Sequence, residues 1–395
     1  MHYARITERL SSKGSHKWAV HMRAREMKAA GEDIIELTIG EPDIPTPADM
    51  IDEAARSMRA GRTRYTSGRG EPSILAALSD KYSKRTSRKI SQQQILCFPG
   101  TQSALAIAML GLAEEGDEVI TTNPCYATYE GVIKATGATP VYVPVSETNG
   151  FRLQAADLEK AITPRSRVLL LNSPHNPTGA MLSREEIATI GEVCRKHNLW
   201  IISDEVYELL VFEGEFASPL DLPELAERTI VVASISKSHS APGFRSGWCI
   251  GPEEFTDRLL PLSEYLLFGV QPFIADMTAY ALNRPATAAQ QMLENFYRRA
   301  QMISERLDDQ AGISCKIPQA GMFILADIRA TGMTGAEFAM RLLEEEKIAT
   351  MPGDSFGSNL VGFLRLSLSV ADDQIDAACA GMVRLAQRIT LEKAA

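Results

Sequence analysis

Residues 229–251 read TIVVASISKSHSAPGFRSGWCIG. An apolar, β-branched run leads in, a single lysine, Lys237, follows among serines, and a second apolar run begins after Arg245. A short, continuous apolar run is how a strand covered on both faces reads. The stretch therefore predicts a buried strand that ends by presenting an amine among small hydroxyls. A lone loop lysine is ordinarily a solvated one, so the surrounding chain decides what Lys237 is.

Toward the N-terminus the pattern alternates. Helical stretches stand at QSALAIAMLGLAEEG (102–116), YATYEGVIKATG (126–137), AADLEKAIT (155–163) and SREEIATIGEVCRKHN (183–198). Between and after them come the apolar strands DEVITTN (117–123), TPVYVPV (139–145), SRVLLLNSP (166–174), LWIISDEVY (199–207), RTIVVAS (228–234) and SGWCIG (246–251). Strands alternating with helices predict a doubly wound, mostly parallel α/β sheet. The last hundred residues mix long amphipathic helices (292–310, 371–389) with CKIPQAGMFILADI (315–328), GAEFAMRLLEEEKIATM (335–351) and GFLRLSLSV (362–370), the pattern of a smaller α+β unit. The expected division is a large α/β domain over 45–285 and a small domain formed by 1–44 with 286–395.

The chain has 395 residues, enough for about two domains. A formal net charge of −9 with both signs interspersed excludes the basic footprint of a nucleic-acid binder. No run of about 18 uncharged apolar residues reads as a membrane span, and the N-terminal stretch lacks the apolar core of a signal peptide. Six scattered cysteines form no CxxC pair, which suits free thiols in a reducing, cytoplasmic compartment. His175, His197 and His239 lie at no metal-ligand spacing, so no metal is expected.

Ligands of open parallel sheets bind beyond the carboxyl ends of the strands, and several polar signals fall there. PGTQSAL (99–105) opens a helix, whose free N–H groups make an anion site. Asp204 ends a very apolar strand, where a carboxylate needs a cation or donors, and Tyr207 follows within reach. NSPHNPTG (172–179) sets Asn176 before a proline, in an extended or turn conformation. Arg365, inside FLRLSLS (363–369), is costly in an apolar strand unless it meets an anion that its planar fork can grip. Each signal alone has an ordinary structural reading: an N-cap, an ion pair, a turn, a strand-edge arginine.

Together and in order, PGTQSAL, NSPHNPTG, SDEVY, SISKSHSAPGFRSGW and FLRLSLS resemble the class I and II aminotransferases, pyridoxal 5′-phosphate enzymes of fold type I. GEPDIPTP (40–47) and RYTSGRGEPSILAAL (64–78) match that family too, so the resemblance runs from about residue 30 to 390. It implies that Lys237 is the Schiff-base lysine and proton-transfer base, and that Asp204 holds the pyridinium nitrogen. Tyr207 and Asn176 would bind the ring phenolate, and Tyr126 would stack on the ring. Gly100, Thr101, Gln102, Ser234, Ser236 and Arg245 would surround the phosphate. Arg365 would take the substrate α-carboxylate beside Gly40 and Asn176. Tyr65 matches a tyrosine that reaches the neighbouring subunit's cofactor phosphate, which implies a homodimer with shared sites.

The implied reaction is a ping-pong exchange of an amino group between an L-amino acid and a 2-oxo acid such as pyruvate or 2-oxoglutarate. A Cβ lyase of the same fold is the alternative. A pyridoxal-phosphate-sensing regulator would need a DNA-binding domain for which too few residues precede the resemblance. A nicotinamide dehydrogenase would need a GxGxxG after its first strand. Position 101 is Thr where some dicarboxylate-using relatives carry Lys, which weakens aspartate or glutamate as the donor. Whole-chain similarity leans toward the subgroup that transaminates arginine with pyruvate, with Asp43 and Asp276 as candidate partners for a cationic side chain.

Overall fold

The computed structural model describes residues 2–11 and 17–394. Its strands in chain order are β1 Ile35–Leu37, β2 Ile95–Phe98, β3 Glu118–Asn123, β4 Thr139–Pro144, β5 Ser166–Asn172, β6 Trp200–Asp204, β7 Thr229–Ser234, β8 Gly247–Ile250, β9 Ser314–Cys315, β10 Phe323–Asp327, β11 Ile348–Pro352 and β12 Phe363–Ser367. Seven of them form one sheet in the order β2-β8-β7-β6-β5-β3-β4. All neighbours pair in parallel except β8, which is antiparallel to both β7 and β2. An antiparallel neighbour needs no crossover helix, and the β7–β8 connection is the lysine loop itself.

Burial explains which runs were legible as strands. β2, β7 and β8 are buried at every residue, and β6 at all but its first. β4 departs from the expectation of two covered faces. It is the sheet edge, and only Val143 of its six residues is buried. β2 itself is a four-residue strand that the alternation did not mark. The helix expected over 126–137 starts only at Tyr129, because Tyr126 sits in the turn ahead of it.

The helices used below are α1 Pro72–Thr86, α2 Thr101–Leu112, α3 Tyr129–Thr136, α4 Arg184–Lys196, α5 Thr287–Leu307, α6 Gly335–Glu346 and α7 Asp372–Ala394. Capping boxes fix two of the starts. Ser183 Oγ accepts from Glu186 N (3.2 Å) while the Glu186 carboxylate accepts from Ser183 N (2.9 Å), and Thr334 and Glu337 repeat the pattern on α6. Ile187, Ile190, Val193 and Cys194 then form the buried stripe of α4.

A second sheet, β1-β11-β12-β10-β9, is antiparallel except for the β1–β11 pair. α5, α6 and α7 cover it through Phe296, Ile303, Phe338, Leu342 and Leu385. Tyr207 and Leu210, just beyond β6, belong to this second core. The carboxyl end of the large sheet therefore opens against the small one. Among the described residues no helix is long and apolar enough to cross a membrane.

Candidate active site

The ends of β5, β6 and β7, with the start of α2, enclose a cavity of about 160 Å³. Thr101, Gln102, Tyr126, Asn176, Asp204, Tyr207, Ser234, Ser236, Lys237 and Arg245 all line it. Residues from widely separated parts of the chain thus converge at the place where a parallel sheet leaves its crevice.

Asp204 is the last residue of β6 and is 5% exposed. Burial pushes its carboxyl up to about 6, against the pull of two donors, Tyr129 and the Val206 amide. Tyr129 Oη donates to Oδ2 at 2.8 Å, and Val206 N donates to Oδ1 at 3.3 Å. The Asp204 carbonyl accepts from Asn172 Nδ2 (3.0 Å), whose own Oδ1 accepts from Asn176 N (2.8 Å). Asn172 thereby ties the two loops together.

Lys237 leaves the strand end in a turn, and its Nζ donates to the Gly40 carbonyl. Burial lowers its ammonium to about 8; Arg365 and Arg245 add to the lowering, and Glu41 opposes it. An amine in this range has an appreciable neutral fraction just above neutrality, where an ordinary lysine has almost none, the condition for nucleophile and base chemistry.

On one side of the lysine the donors are open. Gly100 (φ 84°) precedes α2, and a Cβ there would lie 2.2 Å from Arg245 Nη2. A Cβ on Gly247 would lie 2.5 Å from the Gly100 carbonyl carbon and 2.7 Å from Thr101 N. Two glycines therefore let the lysine loop and the α2 start approach backbone to backbone. Thr101 Oγ1 is buried with no partner. Ser234 Oγ accepts from Ser236 N at 3.2 Å, and Arg245, itself exposed, donates to the Pro242 carbonyl at 2.7 Å.

On the other side most donors are already bonded, although Arg365 Nε is buried without a partner among the described residues. Arg365, in the middle of β12 and 4% exposed, donates to Asn176 Oδ1 (3.0 Å) and to the Thr38 carbonyl (2.6 Å). Its guanidinium lies 3.8 Å from the Phe323 ring centroid and 4.6 Å from that of Phe356. Burial lowers it to about 10, the response of a cation enclosed without an anion. Asn176 Nδ2 reaches Tyr207 Oη at 3.5 Å. Gly40 packs against Phe323 so tightly that a Cβ would lie 2.2 Å from the ring.

Three expected residues lie elsewhere. Tyr65 is 88% exposed and packs edge-on against Phe268 at 4.9 Å, outside this cavity. Asp43 and Asp276 are not free to meet a cationic ligand. Asp43 accepts from Arg299 at 2.6 Å. Asp276 accepts from Arg62 (2.8 Å), Ser57 (2.6 Å) and Ser73 (2.7 Å). Tyr129, Asn172, Phe323 and Phe356 were missed. Tyr129 carried a usable signal, its position three residues after Tyr126 at a helix start.

Comparison with known proteins places this geometry in context. Residues 32–382 match the family model of aminotransferase class I and II. The arginine–pyruvate transaminase of Pseudomonas aeruginosa is 39% identical over 96% of each chain. The aspartate aminotransferase of Geobacillus stearothermophilus is 34% identical over 91% of this chain and 93% of its own. Among solved structures, the aspartate aminotransferase from Rhizobium meliloti superposes with a TM-score of 0.93 at 29% identity over 98% of this chain and 99% of its own. That from Thermus thermophilus with maleate gives 0.92 at 28% identity over 98% and 100%.

Proposed function

Since the chain belongs to the class I and II aminotransferases, pyridoxal 5′-phosphate enzymes that exchange amino groups between amino acids and 2-oxo acids, we propose that Lys237, Asp204 and Arg365 divide that chemistry, with arginine or another non-dicarboxylic amino acid as donor and pyruvate as acceptor. The observation that carries the reading is the convergence of a depressed amine and a buried carboxylate on one cavity with an unpartnered hydroxyl, Thr101 Oγ1.

The residues present fit the cofactor. The glycine-framed start of α2, Thr101, Gln102, Ser234, Ser236 and Arg245 supply donors and charge for a phosphate. Tyr126 supplies a flat face, Asp204 an acceptor for a protonated ring nitrogen, and Asn176 and Tyr207 donors for a phenolate oxygen. When bound, the cofactor supplies an aldehyde for the amino group and a ring that withdraws electrons from the substrate Cα. Lys237 would hold the cofactor through its amine, and the same amine is placed to move the proton at the substrate Cα. Arg365 orients the α-carboxylate and thereby sets which Cα bond faces Lys237. Asn176, bonded to Arg365, couples that orientation to the ring oxygen.

The donor assignment draws on Thr101 and on the identity to the arginine–pyruvate transaminase. We assign the large domain to 45–285 and the small one to 1–44 with 286–395, and place the enzyme in a reducing cytoplasm, since Cys97, Cys125, Cys194, Cys249, Cys315 and Cys379 are buried free thiols. A homodimer explains Tyr65: it packs against Phe268, itself 66% exposed, an aromatic pair open to a second copy. The test of substrate is an amino-donor panel with pyruvate and 2-oxoglutarate as acceptors. Arginine with pyruvate is expected to give the highest kcat/KM. Aspartate with 2-oxoglutarate leading the panel overturns the donor assignment, and ammonia release without an acceptor points to the lyase.

A further inference from the structure

Asp204 sits in an environment hostile to its charge, and one side chain opposes that hostility. Tyr129 is 1% exposed and packed among Leu105, Val132 and Ile133, yet it directs its hydroxyl out of that core to Asp204 Oδ2 at 2.8 Å. Among the described residues no other side chain bonds this carboxylate, and Oδ1 keeps only the 3.3 Å contact from Val206 N. A carboxylate oxygen can accept two bonds, so Oδ1 retains capacity on the side of the cavity that Asp204 lines. Tyr129 also meets Tyr126 edge-on, with centroids 5.5 Å apart and rings at 90°. The start of α3 thus carries both the acid's tether and the neighbour of the cavity's flat ring.

We infer that Tyr129 is a positioning residue: its hydroxyl fixes one oxygen of Asp204, so that the other is presented to the cavity as an oriented, ionised acceptor. This rests on the role proposed for Asp204. The phenol does this well because burial and the adjacent carboxylate keep it protonated, and so always a donor. The other titratable groups facing Asp204 in the cavity are Tyr126, Tyr207, Lys237 and Arg245. None of them bonds it, so none can replace the tether. Core packing alone would equally well be served by phenylalanine, and this makes the inference testable.

The test compares Tyr129→Phe, Asp204→Asn and wild type. In the apoprotein, the Asp204 carboxyl is followed by difference infrared spectroscopy, with Asp204→Asn assigning its band. It is expected to titrate about one unit or more higher in Tyr129→Phe. In the loaded enzyme, kcat is expected to fall about tenfold with KM within about twofold, and the acid limb of the kcat profile to move to higher pH. An unchanged Asp204 titration and a wild-type profile in Tyr129→Phe, with Asp204→Asn inactive, overturn the inference and leave the role of Asp204 standing. An active Asp204→Asn overturns both. Tyr129→Trp, bulkier and able to donate, serves if the phenylalanine variant does not fold: a titration lower than in Tyr129→Leu supports the tether, and equal titrations overturn it.

Discussion

The two flanks of Lys237 are built on opposite plans. Toward α2 and Arg245 the donors stand open: a buried hydroxyl without a partner, an exposed guanidinium, a helix start framed by glycine. Toward β12 a guanidinium is enclosed by Phe323 and Phe356 and bonded through both terminal nitrogens to Asn176 and Thr38 before any ligand arrives, with Nε left without a partner among the described residues. On the proposed reading, the open flank serves the group that stays and the bonded flank serves the groups that come and go. A resident cofactor can organise its own donors as it binds. A substrate carboxylate exchanged every half-reaction needs a receptor that costs no rearrangement each time.

Lys237→Ala cuts between the flanks and has the largest expected effect. Turnover should fall about 10⁴-fold while the open flank still binds cofactor, seen as retained absorbance after gel filtration. Borohydride should fix cofactor on Lys237 of the wild type. Labelling of another lysine breaks the comparison at its centre.

Arg365→Lys tests the bonded flank. The fork is lost and the charge kept, so kcat/KM should fall about 100-fold for every amino and oxo acid alike, with cofactor affinity unchanged. Loss confined to one side-chain class would move Arg365 to the specificity pocket.

Tyr65→Phe asks whether the open flank is completed by a second copy. Cofactor affinity should drop about tenfold. Mixing Tyr65→Phe with Lys237→Ala chains should create one site with both groups intact, with more activity per lysine-bearing site than the Tyr65→Phe homodimer. No gain after proven subunit exchange counts against the shared site.

The smallest effect concerns stability. The Lys237 ammonium is depressed in the fold from its usual 10.5 to about 8. Its contribution is therefore present above pH 10.5 and lost as the pH falls toward 8. The apoprotein Tm of the wild type, relative to Lys237→Met, should decline over that window by a few degrees. A flat difference would mean that the lysine is solvated in the apoprotein.

How much of this could be read from the chain depended on whether a residue's environment leaves a local mark. Asp204 and Arg365 were legible because a charge inside an apolar run has few ordinary explanations. The parallel sheet was legible because β5, β6 and β7 each hold a continuous apolar run, at 168–171, 200–202 and 230–233. β2 is four residues behind a glutamine-rich turn and has too short a pattern to register. Tyr129 carried only a weak mark, its place three residues after Tyr126, because one aromatic at a helix start resembles any core residue until its hydroxyl is given a direction. Asp43 and Asp276 misled for the converse reason: their arginine partners stand 256 and 214 residues away in sequence.

The meeting of Gly247 with Gly100 bears on engineering. Because Gly247 has no room for a methyl group against the Gly100–Thr101 backbone, and Gly100 itself holds a φ of 84°, the lysine loop is not a portable module. Grafting residues 229–251 onto another scaffold would require the 99–103 turn to travel with it, two segments separated by more than a hundred residues and joined only through space. Recombination that breaks the chain between them should yield folded chimeras only when both parents contribute this glycine contact, so libraries of such enzymes are better cut within 104–228 of a parent pair sharing both glycines than shuffled freely.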